Sequence, residues 1–224
     1  MRQVFPQVVD NVSVTTLYDV PRQRIATAWG SRPVVGMCMV QSIDGSTVVH
    51  GNSLALSGPA DREVMLGLRQ IADVVLVGAA TVREEGYGPP AKSGLRVGVV
   101  SRTGSVDLTT PLFTSGAGFL VVPESAPVAQ HPGVNIVRSG IDAVDLPHAL
   151  SHIDGTFLQL EGGSLLNAAM IEADLVDEIN VTISPNVVGG DGPRLVQSSR
   201  DVLQRYRLSH VCEDDGFLFL RYVR

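Results

Sequence analysis

Asp73-Val74-Val75-Leu76-Val77-Gly78-Ala79-Ala80-Thr81-Val82 is the stretch whose reading decides the fold. Its first part, 73–78, is almost wholly apolar and β-branched, and small residues then lead into a helix-like run. A short strand apolar on both faces is what a parallel sheet covered by helices on both sides produces. At the junction the first helical N–H groups have no internal partner, and the helix dipole adds positive potential, a combination that suits phosphate. Glycine there lets a ligand come close to the backbone. The pattern recurs downstream. A strand over 156–160 ends at Glu161-Gly162-Gly163-Ser164-Leu165, and a helix follows over 164–175 with Leu165, Leu166, Ala169 and Met170 near one face. Either junction alone is also the form of an ordinary strand-to-helix turn. Two in one chain point to a nucleotide cofactor, and neither has the G-x-G-x-x-G spacing of the common dinucleotide fold.

Working outward, 34–40 reads as a buried strand ending in the turn Gln41-Ser42-Ile43-Asp44-Gly45-Ser46, where Asp-Gly is a strong turn signal. Ser57-Gly58-Pro59 opens a helix. Proline suits the first helical position, Asp61 and Glu63 favour the positive end, and Val64, Leu68 and Ile71 recur at helical spacing. A short helix or turn is predicted over 81–86. Further strands are predicted over 95–100, 118–122 and 134–137, and a helix over 143–153. The ending is different. A long β-like stretch covers 178–188, and 207–212 and 217–223 flank Glu213-Asp214-Asp215-Gly216 as a hairpin. Alternating strands and helices with an antiparallel finish predict an α/β fold. Its architecture is three-layer αβα, a mixed, mostly parallel sheet closing in an antiparallel C-terminal hairpin. Residues 1–32 read as a loosely structured lead-in to a single domain spanning 1–224.

Composition narrows the function. The 224 residues carry a formal net charge of −6, which lacks the basic field of a general nucleic-acid binder, and 44% are hydrophobic, enough for a sizeable core. Cys38 and Cys212 lie far apart with no Cys-x-x-Cys, and the five histidines form no ligand pattern, so no metal is expected. Cys38, inside an apolar run, reads as a buried thiol. The first eleven residues are too polar for a signal peptide and no apolar run reaches membrane-spanning length, so a cytoplasmic protein is expected.

Three positions stand out chemically. Arg102, in Ser101-Arg102-Thr103-Gly104 after a strand, offers the forked donors that bind the 2′-phosphate of NADPH, although the position also suits a solvated loop arginine. Glu161 ends a buried strand beside two glycines, where it faces a ligand or holds nearby amides. Asp44 sits in a turn after a core strand. Glu84-Glu85-Gly86 reads as a flexible acidic loop, and nothing resembles a Ser-His-Asp set or an activated cysteine.

Six segments in register carry a resemblance. They are Ser42-Ile43-Asp44-Gly45, Leu56 through Arg62, Asp73 through Val82, Val100-Ser101-Arg102, Glu161 through Leu165, and Leu175-Val176-Asp177-Glu178 followed by Ile183 through Gly190. From about residue 33 onward the chain resembles the pyrimidine reductases of riboflavin biosynthesis, the reductase half of a bifunctional deaminase-reductase with a dihydrofolate-reductase-like fold. The resemblance implies NADPH as hydride donor, lined by Gly78, Ala79, Thr81 and Val82, with Ser101 and Arg102 at the 2′-phosphate and Gly162, Gly163, Ser164 and Leu165 forming a second phosphate turn. It places Ser42, Asp44 and Glu161 on the substrate side; Ser57, Arg62 and Glu85 are further substrate-side candidates, and Asp44 and Glu161, each in a short turn after a core strand, are expected to be the catalytic pair. The reaction it implies is reduction of 5-amino-6-(5-phosphoribosylamino)uracil, with hydride delivered to C1 of an imine tautomer of the ribose, and it implies a homodimer.

The chain departs from that family in three places. The zinc deaminase signature is absent. Met37 through Gln41 lacks the family's lysine. Arg83 through Pro90 lacks the Asp-Asp-Pro segment and its following arginine, so Arg62 or Arg83 would have to hold a substrate phosphate. Two other readings stay open, a dihydrofolate- or pterin-type reductase of the same fold and a non-catalytic NADPH-binding protein.

Overall fold

The computed structural model describes residues 1–128, 130–198 and 200–224. Strands β1 (Arg2–Phe5), β2 (Ile25–Thr27), β3 (Gly30–Arg32) and β4 (Val34–Gln41) are followed by helix α2 (Pro59–Ile71), with α1 (Val14–Tyr18) between β1 and β2. Then come β5 (Val74–Gly78), α3 (Ala79–Glu85), β6 (Arg96–Val100), α4 (Pro111–Thr114), β7 (Gly118–Val122), β8 (Asn135–Arg138), α5 (Leu146–Ser151), β9 (Phe157–Leu160) and α6 (Ser164–Glu172). Strand β10 (Glu178–Ile183) and the hairpin β11 (Arg207–Asp214) and β12 (Phe217–Val223) finish the chain.

Ten strands form one sheet in the order β1-β11-β12-β10-β4-β9-β5-β6-β7-β8. Every pairing from β10 through β4 to β8 is parallel, and those joining β1, β11, β12 and β10 are antiparallel. Strand periodicity divides the apolar residues between two cores. Val75 and Val77 of β5 face a cluster with Val64 and Leu68 of α2, while Val74 and Leu76 face one with Leu166 and Met170 of α6 and Leu150 of α5. A sheet between two helical layers follows, as the apolar runs predict.

Helix α2 starts as its sequence dictates, with Gly58 at the N-cap, Pro59 in the first turn, and Val64 and Leu68 buried one turn apart. Helix α5 is shorter than the predicted 143–153, because Asp145 caps it by accepting from the backbone N–H of His148. Helix α6 stops before Asp174, whose φ of 60° no helix accommodates.

The expectation of a loose lead-in over 1–32 is corrected. Strand β1 pairs antiparallel with β11 at the edge of the main sheet. Helix α1, capped by Ser13, buries Val14, Leu17 and Tyr18. Arg22 grips both oxygens of Glu178 through Nε and Nη2, at 2.9 and 3.1 Å, and Arg32 grips Asp177. Among the described residues no helix is long and apolar enough to cross a membrane.

Candidate active site

An open cleft of about 1210 Å³ lies along the carboxyl ends of β4, β5, β6 and β9, where ligands sit in sheets of this kind. One wall is made where the two glycine turns meet. Gly78 caps α3 and Gly163 caps α6, and the Gly78 N–H donates to the Gly162 carbonyl at 2.6 Å. The turns are therefore joined, and two helix N-termini open side by side on the cleft. The approach is tight at Gly163 and leaves only contact distance at Gly78. A Cβ added at Gly163 would lie 2.9 Å from Thr81 Oγ1, and one at Gly78 would lie 3.4 Å from the Gly163 nitrogen.

Gly78, Ala79, Thr81, Gly163, Ser164 and Leu165 line this wall, with Leu165 71% exposed. Ser101 and Arg102 line the cleft beyond it. Ser101 is buried, and its hydroxyl accepts from the Gly104 N–H at 3.0 Å, which fixes the loop after β6. Arg102 is exposed and makes no ion pair among the described residues. Two expectations are corrected. Val82 packs in the core cluster rather than lining the cleft, although its neighbours Thr81 and Arg83 line it. Gly162 stands behind the wall with φ of +81° and serves as the joint between the turns.

The opposite half of the cleft is polar. Glu161 receives Arg69 through two bonds, Nε to Oε1 at 2.7 Å and Nη2 to Oε2 at 2.6 Å, and the Tyr87 hydroxyl donates to Oε2 at 2.5 Å. The Glu161 side chain is 4% exposed and that of Arg69 22%. Burial works against the Arg69 charge, but the hydrogen bonds and charge of Glu161 outweigh it and raise its pKa. Burial, followed by the Glu161 charge, holds the Tyr87 phenol well above its usual range. Glu161 was expected to be an acceptor left open for a ligand. Its carboxylate is instead largely engaged within the protein, a forked pair that fixes its orientation.

Cys38 is half-buried on the cleft floor rather than sealed in the core. Burial and the charges of Asp61 and Glu161 push its thiol well above its usual range, so it is a neutral group at physiological pH.

Ser42 and Asp44 do not line the cleft, and their expected place beside a substrate is corrected. Ser42 is fully buried; its hydroxyl donates to Asp44 at 2.6 Å and accepts from the Ser46 N–H. Asp44 accepts from the backbone N–H groups of Val188 and Gly189 at 3.1 and 2.7 Å. These bonds, that of Ser42 first, hold the Asp44 pKa down to about 2. Its carboxylate clips two loops together. Ser57, Arg62 and Glu85 do line the cleft. Ser57 donates to Asp61 at 2.6 Å, and Glu85 accepts from the Ser53 N–H at 2.8 Å, tying the loop before α2 to α3.

The model of the RibD C-terminal domain matches residues 33–218. The chain belongs to the RibD C-terminal domain family. A relative from Methanothermobacter thermautotrophicus, named 2,5-diamino-6-ribosylamino-4(3H)-pyrimidinone 5′-phosphate reductase, is 31% identical over 178 residues, spanning 73% of this chain and 82% of its own. A pyrimidine reductase-like protein from Corynebacterium diphtheriae superposes with a TM-score of 0.76 at 20% identity, covering 95% of this chain and 98% of its own. Dihydrofolate reductase from Enterococcus faecalis, solved with NADP(H), superposes with a TM-score of 0.55 at 17% identity over 85% of this chain and 96% of its own. The dihydrofolate-reductase-like fold predicted from the sequence is thus the fold of this RibD C-terminal domain.

Sequence reasoning missed Arg69, Tyr87 and the cleft-lining position of Asp61 in this domain. A signal for two of them was present. Asp61, Met65 and Arg69 recur every four residues on α2, beside the buried Val64 and Leu68, and all three line the cleft. A mixed stripe flanking an apolar one marks a helix face that meets a polar cavity.

Proposed function

We propose that this chain is an NADPH-dependent reductase of a ribosylamino-pyrimidine 5′-phosphate. The ring is the uracil form or the 2-amino form for which the archaeal relative is named. The observation that carries the reading is the junction of Gly78 with Gly162 and Gly163, which sets two helix N-termini beside one apolar platform, Leu165. The site fits a dinucleotide phosphate. Free N–H groups at α3 and α6 suit the pyrophosphate, and no Cβ obstructs its approach. Arg102, open and uncompensated, suits a 2′-phosphate. Bound there, the nicotinamide would supply the hydride.

The protein's own part is positioning. Glu161, fixed by Arg69 and Tyr87, forms with them a rigid polar end to the cleft. Cys38 contributes a neutral floor. Arg83 donates to the Ser105 carbonyl at 3.4 Å, which draws it toward the loop that carries Arg102. Arg62 projects from α2 into the cleft without an ion-pair partner among the described residues, so it is assigned to the substrate phosphate. Holding both reactants in contact removes the entropic part of the barrier, which reaches about 7–11 kcal/mol for well-aligned partners.

The test is NADPH oxidation with three separate substrates, the two phosphorylated ribosylamino-pyrimidines and dihydrofolate. Turnover of either pyrimidine and none of dihydrofolate supports the proposal. Turnover of dihydrofolate alone favours the folate-type reading. NADPH binding without oxidation in any arm favours a non-catalytic binder.

A further inference from the structure

Helix α5 ends in a pair of histidines. His148 lies within it and His152 caps its C-terminus, four positions on and so on the same face. Their Nε2 atoms are 3.0 Å apart and their ring centroids 4.6 Å. Ser139 is 1% exposed, and its hydroxyl donates to the Asp145 carbonyl at 2.9 Å. With its one proton spent there, the Ser139 oxygen accepts from His148 Nδ1 at 3.0 Å. Nδ1 of a neutral His148 is therefore the protonated nitrogen, and Nε2 turns its lone pair toward His152. His152 is exposed, and either tautomer is open to it.

Two ring nitrogens this close share either a proton or a cation, and the ring positions separate the two cases. Each centroid lies about 1.15 Å behind its nitrogen, so a straight N–H···N bond of 3.0 Å would set the centroids about 5.3 Å apart. The rings stand closer than that, so their axes bend. An ion about 2.05 Å from both nitrogens would make an N–metal–N angle of about 94° and set the centroids about 4.7 Å apart. Both observed separations fit that one apex. An angle of about 90° joins neighbouring positions of square-planar or octahedral coordination, and imidazole nitrogen suits the late first-row metals. Among the described residues no third histidine, cysteine or acid completes a cluster, so water fills the remaining positions.

We propose that His148 and His152 form a two-histidine site for a late first-row divalent cation, Cu²⁺ most tightly and Ni²⁺ and Zn²⁺ after it, with Ser139 fixing the ligating nitrogen of His148. Neither histidine lines the cleft, so the site is separate from the reductase reading. It revises the expectation that the five histidines form no ligand pattern. The spacing of four is in the sequence, but the lone pair of His148 is set by Ser139, nine positions away.

Trp29, the one tryptophan of the chain, is a built-in reporter, its ring edge-on to His148 with 6.0 Å between centroids. The experiment titrates Cu²⁺, Ni²⁺, Zn²⁺ and Mg²⁺ into EDTA-treated wild-type protein and into His152→Gln, reading Trp29 fluorescence for Cu²⁺ and calorimetric heat for the others. In the wild type Cu²⁺ should quench Trp29 saturably and EDTA should restore it. Ni²⁺ and Zn²⁺ should bind with one tightest site per chain, and Mg²⁺, which takes oxygen ligands, should not bind there. His152→Gln, an exposed substitution checked for folding by circular dichroism, should weaken Ni²⁺ binding at least about tenfold, because the second, tethered contact is lost. Equal Ni²⁺ affinity in the two proteins, or Cu²⁺ quenching that never saturates, overturns the site. Should His152→Gln fail to fold, His148→Gln makes the same comparison.

Discussion

The pair of Arg69 and Glu161 sets a quantitative expectation. At about 4 Å between charge centres and an effective dielectric of about 20, their attraction is about 4 kcal/mol. Burying both ions offsets much of this, so the pair's net worth is small. Cutting it is another matter. Arg69→Met keeps the apolar stem of α2 but leaves Glu161, 4% exposed, with Tyr87 as its one remaining side-chain donor. Losing one partner of a buried pair typically costs about 3–5 kcal/mol, and because Tyr87 remains, the lower end, about 3 kcal/mol, is expected here. Glu161→Met should cost a comparable amount, and the double variant less than the sum by about 2 kcal/mol or more. Urea unfolding of the four proteins measures the cycle. Near-additive effects of under 1 kcal/mol each would be the behaviour of an exposed ion pair and would refute the reasoning.

Three further expectations follow from named contacts. Arg102→Ala should weaken NADPH binding about tenfold or more and leave NADH nearly unchanged, measured by fluorescence titration; equal losses would remove Arg102 from the 2′-phosphate. Gly163→Val, whose backbone φ of −68° any residue adopts but whose Cβ meets Thr81 Oγ1, should lose NADPH affinity by a larger factor than it loses stability; normal binding would leave the turn a purely structural joint. His210 is 4% exposed, and burial, then the Arg221 charge, push its pKa down from 6.5 to about 4. The unfolded chain therefore binds a proton that the folded one refuses, and stability falls as pH drops from about 6.5 to about 4, by up to about 3 kcal/mol. His210→Gln should flatten that part of the stability profile, and an unchanged profile would contradict the shift.

The sheet was legible because its strands are apolar on both faces. Val74 through Val77 and Gly118 through Val122 carry their burial in their composition. Strand β1, Arg-Gln-Val-Phe, is an exposed edge strand with no such signature, and α1 is five residues long, so the structured lead-in left little trace. The glycine wall of the cleft could be read because small residues at two strand ends mark places where backbone comes close to a neighbour. The polar half could not, because its geometry is long-range. Arg69 and Glu161 are 92 positions apart, and nothing near either names the other. Asp44 shows the converse limit. Its turn was evident, but whether the carboxylate faced a ligand or the loop at Val188 depended on where a distant segment lies.

The position of β4 in the sheet has a consequence for synthesis. β5 through β8 are neighbours in sequence and in space, so they can pair as they leave the ribosome. β4 is made before them, yet its partners are β9 and β10, which emerge over a hundred residues later. At roughly 5–20 residues per second, an eight-residue apolar strand waits on the order of ten seconds with both edges open. The nascent chain is thus most exposed to misassociation through the strand that later forms the floor of its own active site. A chaperone that shields 34–41 during that interval would raise the yield of folded protein more than one acting after release.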